Sequence, residues 1–484
     1  MKEKFQNSQE GLTAKKEENF SEWYTQLILK TNLADYSSVS GCVILRPESY
    51  LLWEKIVREC DSEFKKAGIK NCYFPLFIPE KSFEKEAEHV KGFTPEVAWV
   101  THAGNTKLNE RLAIRPTSEA IMYESYAKWI RSWRDLPLRY NQWNNAVRWE
   151  FNNPVPFFRT REFLWNEGHS VFATEKEALE EGKQIRKIYE KVMEQLMALP
   201  GIYGRKTEKE KFAGAIFSEK IHYMIPNGRV IEGPCFHHDG QNFAKAYGIK
   251  FLNKNGNEEY AWQNTYAVST RMLGTMFAIH SDNKGLILPP KIVENKLVIV
   301  PILFDKTKNK ILKEAERIKK ELEKFSPILD NREDYSPGRK FSEWELKGIP
   351  LRIELGPKDL EKNQVTIVKR NDFKKSTIKI KLLKKEIPKL LDQIQKEIYN
   401  NAKKLLTSNT ERTENKKQMM QFIKDKKVVI APFCQSEKCE DVLKEESEGA
   451  KTLFIDPKNA SVKGKRCIIC NKPAEYWLYI GRTY

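Results

Sequence analysis

No stretch of this sequence stays apolar for the ~20 residues that a membrane-crossing helix needs. Its polar start, "MKEKFQNSQEGLTAKKEENF", also lacks the apolar core of a secretory leader. These absences point to a cytoplasmic protein with no membrane partner. No G-x-x-x-x-G-K-[ST] phosphate loop and no glycine-rich dinucleotide turn occurs, so any nucleotide would be held by side chains on an open surface. No internal repeat is evident. Cysteine is sparse, with eight among 484 residues. Of these, Cys42, Cys60 and Cys72 sit in apolar contexts expected to bury them. Four others fall in two close pairs, Cys434/Cys439 in "CQSEKC" and Cys467/Cys470 in "CIIC". In a reducing compartment that spacing favours one structural, four-thiolate Zn²⁺ over disulfides.

Positive charge is what the chain has in excess. Lys and Arg number 84 against 66 Asp and Glu, a formal net charge of +18. Such a surplus suits a polyanionic partner, because each neutralised phosphate releases counterions. A lysine-rich solubilising surface would give the same number, so charge alone does not decide between them.

The length implies two or three domains. Residues 21–291 mix strands and helices irregularly. Leu52, Trp53, Ile56, Val57, Cys60 and Phe64 recur at helical spacing, with Gly68 as a stop. "TEKE" at 174–177 reads as a capping box for a helix striped by Ile185, Ile188, Tyr189, Val192 and Leu196. From 292 to 406 the texture alternates: the strand "LVIVPILF" precedes one helix, and the strands "LRIEL" and "QVTIVKR" lie between it and a second. Ile311, Ala315, Ile318, Leu322 and Phe325 mark the first helix. Leu390, Leu391, Ile394, Ile398, Ala402 and Leu405 mark the second. This is the pattern of a compact α/β domain. A polar run at 407–418, a linker or a helix surface, precedes the cysteine pairs.

"VRWEFNNPVPFFRTREFLWNEGHSVF" at 147–172 is the densest chemistry in the chain. Read as one strand from 157 to 172, it puts Arg159, Arg161, Phe163, Trp165, Glu167 and His169 on one face. Arg148 and Glu150 would join them from a strand paired through the "NNPVP" loop. An ordinary half-buried strand separates charges from aromatics. Here they share a face, as the floor of a site for a ligand with an anionic end and a small apolar end would. The alternative is a surface sheet with cross-strand ion pairs.

The ordered set "RPTSE", "RWEF…PFFRTREFLWNEGH", "STR" and "HSDNKGLILPP" resembles the prolyl-tRNA synthetase family of class II aminoacyl-tRNA synthetases, in its archaeal/eukaryotic-type branch. "GCVILRPESYLLWEKI" looks like class II motif 1, and Pro47 would then lie near a homodimer interface. The resemblance implies an α+β fold: a catalytic antiparallel sheet flanked by helices over 21–291, after a polar extension at 1–20. An α/β anticodon-binding domain over 292–406 and a small zinc-binding domain over 407–484 would follow. Motifs 2 and 3 lie too close together to enclose a large editing insertion.

The family's activity would make L-proline, ATP and tRNA(Pro) the substrates. Arg148, matching the motif 2 arginine, would be the catalytic group, bridging the proline carboxylate and the α-phosphate. Glu150, Arg159, Thr160, Glu232, Cys235, Ser269 and Arg271 would join it around ATP, with Glu232 a holder of Mg²⁺. Thr117 and Glu119 would accept from the ring ammonium of proline, and Phe163, Trp165, His169 and His237 would wall the ring. Glu345, Arg352 and Lys358 would read the anticodon. Cys434, Cys439, Cys467 and Cys470 would hold Zn²⁺.

The sequence departs from the family where a glutamine and a Gly-Thr-Ser run give way to Glu232, Pro234, Cys235 and Phe236. It departs again where Trp-Gly gives way to Tyr266-Ala267. Phe236 and the Ala267 methyl would add bulk beside the substrate. A synthetase-like paralogue with altered amino-acid or acceptor specificity therefore stays open, as does a non-catalytic tRNA-binding protein. A mere scaffold, however, has no need of Arg148, Arg159 and Arg271.

Overall fold

The computed structural model describes residues 11–82, 96–150, 153–458 and 460–484. Helix α1 (Phe20–Lys30) buries Trp23, Tyr24, Leu27 and Ile28. Helix α2 (Pro47–Lys66) starts with proline at its first turn, where the missing N–H costs nothing, and buries Leu52, Trp53, Ile56, Cys60 and Phe64. Gly68 follows at φ +79°, which a residue with a Cβ would resist. Part of the expected N-terminal extension packs on the body, since Lys16 Nζ donates to the Ser281 carbonyl at 2.6 Å. Residues 1–10 of that extension lie outside the described residues.

Helix α3 (Glu119–Trp129) leads to strands β1 (Leu138–Val147) and β2 (Glu162–Phe172). The expected strand from 157 to 172 thus begins five residues late. Phe157 has φ +66° and Val155 bridges back to Arg159, so 155–159 is a turn and the alternation cannot run through it. Arg161 leaves the shared face, donating to the Ser40 carbonyl at 3.0 Å and lying over Trp149. Helix α4 (Glu175–Gln195) carries the expected capping box, Thr174 and Glu177 satisfying each other's backbone N–H groups. Its stripe packs on the back of the sheet.

Strands β3 (Ile202–Arg205), β4 (Phe217–Met224), β5 (Arg229–Gly240) and β6 (Trp262–Ser269) complete the antiparallel order β3-β4-β5-β6-β2-β1. Helix α5 (Arg271–His280) is almost wholly buried. Register fixes what faces the ligand. His169, Thr265, His237 and Ser218 form one row across four strands, and Glu167, Ala267, Cys235 and Lys220 form the next.

The second sheet has β7 (Leu297–Pro301), β8 (Ile328–Leu329), β9 (Leu351–Leu355), β10 (Gln364–Lys369) and β11 (Lys375–Lys379) in the order β8-β7-β9-β10-β11. Its first two pairings are parallel and the rest antiparallel, the mixed α/β domain expected. Helices α6 (Lys308–Glu321), α7 (Pro337–Lys347) and α8 (Leu383–Ser408) flank it, and α6 and α8 close its core.

Instead of a linker at 407–418, α8 runs straight into β12 (Thr410–Arg412) and α9 (Lys416–Lys424). Then come β13 (Val428–Phe433), α10 (Glu437–Glu446), β14 (Lys451–Ile455) and β15 (Tyr476–Thr483). These C-terminal strands extend the catalytic sheet. β14 meets β3 at Ile455 and Arg205, and β15 runs parallel to β5 through Arg229–Arg482 and Val230–Thr483. No helix among the described residues is long and apolar enough to cross a membrane.

Candidate active site

One cavity of about 810 Å³ opens over the ligand-facing rows of the sheet. Thr117, Glu119, Arg148, Glu150, Thr160, Phe163, Trp165, His169, Glu232, Cys235, His237, Ser269 and Arg271 all line it. Arg159 does not. Its Nη2 donates to the Tyr484 main-chain oxygen at 2.9 Å, while its charge still bears on Arg271.

At one end Glu119 opens α3, nearly buried, and accepts from the Thr117 hydroxyl. Beside it Glu167 Oε1 accepts from Ser118 Oγ at 2.6 Å, Gln142 Nε2 at 2.9 Å and Asn144 Nδ2 at 2.7 Å. Burial favours the neutral acid at Glu167, but the His169 hydrogen bond and charge, with those donors, hold its pKa low. His169 Nε2 lies 3.2 Å from Glu167 Oε2. Burial opposes its protonation, yet Glu167 and Glu119 raise its pKa above the ordinary histidine value. This end is acidic and walled by Phe163 and Trp165, which suits a small cation.

From these rings toward Arg271 the lining is cationic. The Arg148 guanidinium stands 5.5 Å from the ring centroids of both Phe163 and Trp165, and its Nε donates to the Pro116 carbonyl at 3.2 Å. Arg271 Nη1 reaches the Glu232 carbonyl at 3.4 Å. Burial, with the neighbouring Arg148 and Arg159, lowers the Arg271 pKa from its usual value. His237 donates to or accepts from Ser218 Oγ at 2.7 Å, and burial drops its pKa to about 3. It is therefore a neutral wall.

Glu232 does not sit as a metal ligand would. Its Oε1 accepts from Lys206 Nζ at 2.8 Å and its Oε2 from Lys220 Nζ at 2.6 Å. Burial would raise its pKa, but the two lysines hold it well below the carboxylate range. Among the described residues, the clusters able to gather round a cation are the four C-terminal cysteines and Glu119/Glu167/His169; neither includes Glu232. The expected Mg²⁺ at Glu232 therefore does not fit this arrangement. The expected crowding by Phe236 is also corrected. Its ring packs on the back of the sheet, where a Cβ on Gly182 would come within 2.8 Å of it. Tyr266 borders the cavity, but its ring closes over Gly168 and lies tilted against that of Phe64 at 5.8 Å.

Away from the cavity, Cys434 Sγ lies 3.5 Å from Cys439 Sγ and 3.8 Å from Cys470 Sγ, and Cys467 joins the group. Four converging thiols suit a tetrahedral zinc ion. Cys60 is buried as expected, whereas Cys42 and Cys72 are partly exposed. In the second domain Arg352 Nη1 donates to Glu345 Oε1 at 2.9 Å, and Arg352 is almost fully buried. Lys358 stands exposed on the short helix after β9.

Sequence reasoning missed Ser118, Gln142 and Asn144, whose amide and hydroxyl groups orient Glu167, and it missed Lys220. The period-2 alternation along "FSEKIHYM" carried the only local signal for Lys220.

Residues 99–280 match the family of the tRNA synthetase class II core domain (G, H, P, S and T). Residues 296–390 match the anticodon binding domain, and 416–484 match the prolyl-tRNA synthetase C-terminal domain. The chain is 44% identical to the cytoplasmic proline–tRNA ligase of Arabidopsis thaliana, over 98% of this chain and 91% of that one. It is also 44% identical to the proline–tRNA ligase of Natranaerobius thermophilus, over 94% and 93%. The crystal structure of Cryptosporidium parvum prolyl-tRNA synthetase, complexed with halofuginone and AMPPNP, superposes with a TM-score of 0.93 at 42% identity, covering 99% of this chain and 98% of that one. By sequence over its whole length and by fold, the chain belongs to the proline–tRNA ligase family of class II aminoacyl-tRNA synthetases.

Proposed function

We propose that this chain activates L-proline with ATP and transfers the prolyl group to the 3′ end of tRNA(Pro). The observation that carries the reading is one cavity lined both by the acceptors Thr117 and Glu119 and by the guanidinium groups of Arg148 and Arg271. In the first step the proline carboxylate attacks the α-phosphorus and pyrophosphate leaves, so no side-chain nucleophile is needed. Catalysis is alignment and neutralisation of charge. Arg148 would bridge the carboxylate and the α-phosphate, its planar fork keeping its charge throughout. Glu150, Thr160, Cys235, Ser269 and Arg271 would border ATP, and Arg159, outside the lining, would add its charge through its neighbour Arg271. Thr117 and Glu119 would take the ring ammonium, and Phe163, Trp165, His169 and His237 the ring.

Outside this site the reading extends to four further proposals. Glu345, Arg352 and Lys358 read anticodon bases. Cys434, Cys439, Cys467 and Cys470 hold Zn²⁺, which would cross-link the small C-terminal domain. Two copies pair around the segment containing Pro47, a reading favoured by Tyr36, Val39, Ile44, Tyr50 and Leu51, all about half exposed. The protein works in the cytoplasm. The domain division at 20, 291 and 406 is carried with these proposals.

Exchange of labelled pyrophosphate into ATP, run with each amino acid in turn, tests the reading. Proline alone should support strong exchange, and tRNA(Pro) should then be charged. Exchange with another amino acid, and none with proline, would favour the altered-specificity alternative. The retreat of Phe236 to the back of the sheet speaks against that alternative, because it leaves the pocket less changed than the sequence suggests.

A further inference from the structure

The cationic end of the cavity contains an ion-pair chain that has no role in the reading above. Lys206, Glu232 and Lys220 are joined in series, Nζ to carboxylate to Nζ, at 2.8 and 2.6 Å. The two lysines differ in where they stand. The Lys206 side chain is 1% exposed and lies behind Glu232, outside the cavity lining. Lys220 lines the cavity, with 22% of its side chain exposed. Its strand register puts it opposite Cys235, in the row that continues through Ala267 to Glu167. Arg271 Nη1 reaches the main-chain oxygen of Glu232, so the same residue organises both cations.

Lys206, Lys220 and Arg271 set three positive charges against the one of Glu232. An ammonium has three donors, and one of those on Lys220 is spent on Glu232. Glu232, pinned from behind by a buried lysine, is then less a metal ligand than a prop for the lysine in front of it. A surplus of fixed cations next to Arg271, with no free carboxylate at Glu232 for a metal, is the arrangement a polyphosphate would meet directly.

We propose that Lys220, held by the Glu232–Lys206 pair, contacts the polyphosphate of ATP and supplies positive charge where Glu232 does not offer a magnesium site. This rests on the reading of the cavity as an ATP site. The pyrophosphate leaving group gains charge as the bond to the α-phosphorus breaks, and a preorganised ammonium stabilises that charge without reorganisation. Lys220 is the contacting residue, while Glu232 and Lys206 position it.

The test is ATP binding to the full-length chain by calorimetry, in EDTA and in Mg²⁺, alongside the variants Lys220→Met and Lys220→Arg. The wild type should bind ATP in EDTA within about threefold of its affinity in Mg²⁺. Lys220→Met should weaken binding in EDTA by about tenfold or more, and Lys220→Arg should recover most of it. A structural role alone would not move this split between the two buffers. As a check on the unmutated chain, ATP in EDTA should protect Lys220 from amine-directed labelling, read by peptide mass spectrometry. Unchanged binding by a folded Lys220→Met, or labelling of Lys220 that ATP leaves unaltered, overturns the inference. So does ATP binding that requires Mg²⁺ in the wild type. Loss of ATP binding in both buffers would instead defeat the ATP reading itself, and this inference with it.

Discussion

Arg370 donates from both terminal nitrogens to Asp282, at 2.9 and 2.6 Å, and so ties the segment after α5 to the second domain. The two partners are unequally placed: the Arg370 side chain is 3% exposed and that of Asp282 is 34% exposed. Arg370 Nε also donates to the Glu345 carbonyl at 2.7 Å, on the helix whose carboxylate meets Arg352. Removing Asp282 strands a buried guanidinium, whereas removing Arg370 leaves an aspartate that still accepts from the Lys284 and Gly285 N–H groups. Asp282→Ala should therefore cost about 3 kcal/mol, and Arg370→Met distinctly less. Denaturant unfolding of both variants measures this, and equal losses would refute the asymmetry.

Arg148→Ala should remove catalysis while sparing the fold. Among the described residues the Arg148 side chain makes one long hydrogen bond, to Pro116, and lies over Phe163 and Trp165, so stability should fall by about 1 kcal/mol or less. The loss of one preorganised contact to the transferring group costs about 3–4 kcal/mol in the transition state, or two to three orders of magnitude in rate. Pyrophosphate exchange measured beside a thermal melt separates the two effects. A melt that collapses together with the rate would recast Arg148 as structural.

Stripping metal with a chelator, or changing Cys467→Ser, should loosen more than the small C-terminal domain. Strand β15 follows the last two cysteines directly and pairs with β5, whose Cys235 and His237 line the cavity. Arg229 Nη1 donates to the Thr483 carbonyl at 2.9 Å and strengthens that seam. Limited proteolysis should first expose the region of 434–470, with activity declining in step. Full activity and an unmoved melting temperature after metal removal would contradict a structural ion.

What could be read in the sequence was local. The Thr174–Glu177 box spans four residues, the α2 stripe a few turns, and the Phe163-Trp165-Glu167-His169 alternation one strand, so each leaves a short-range signature. The alternation failed where it was carried back through 157–161, because the left-handed Phe157 turns the chain before the strand begins. Bulk assigned to Phe236 went to the wrong face for a similar reason: the face of a strand residue depends on register, and register depends on the partner strands. The Lys206–Glu232–Lys220 chain crosses three neighbouring strands, and the β5–β15 seam joins segments 254 residues apart at Arg229 and Thr483, so both depend on strand pairing. No local pattern encodes them, and the Glu232 reading inherited a metal that its own lysines displace.

Acid should weaken the fold through His222. Its ring is buried 4.2 Å from that of Phe454, at the junction of the catalytic sheet and β14, and its Nδ1 faces the Ile202 carbonyl at 3.4 Å. Burial lowers its pKa to about 3, with Lys206 and Lys220 adding to the effect and Glu232 opposing it. Unfolded, the same imidazole titrates near 6.5. Between those values the unfolded chain binds a proton that the folded chain refuses, so stability falls as pH falls, by up to about 1.4 kcal/mol per unit for this one group. His237 acts in the same sense and window. His169 acts oppositely and elsewhere: its raised pKa gives a contribution that is complete below about 6.5 and fades as pH rises through its folded value. His222→Phe keeps a ring against Phe454 and removes the titration. The difference in unfolding free energy between pH 6.5 and pH 4.5 should therefore shrink by about 2 kcal/mol in that variant, as measured by urea denaturation. An undiminished acid slope would place the sensitivity in other groups and leave the His222–Phe454 junction indifferent to pH.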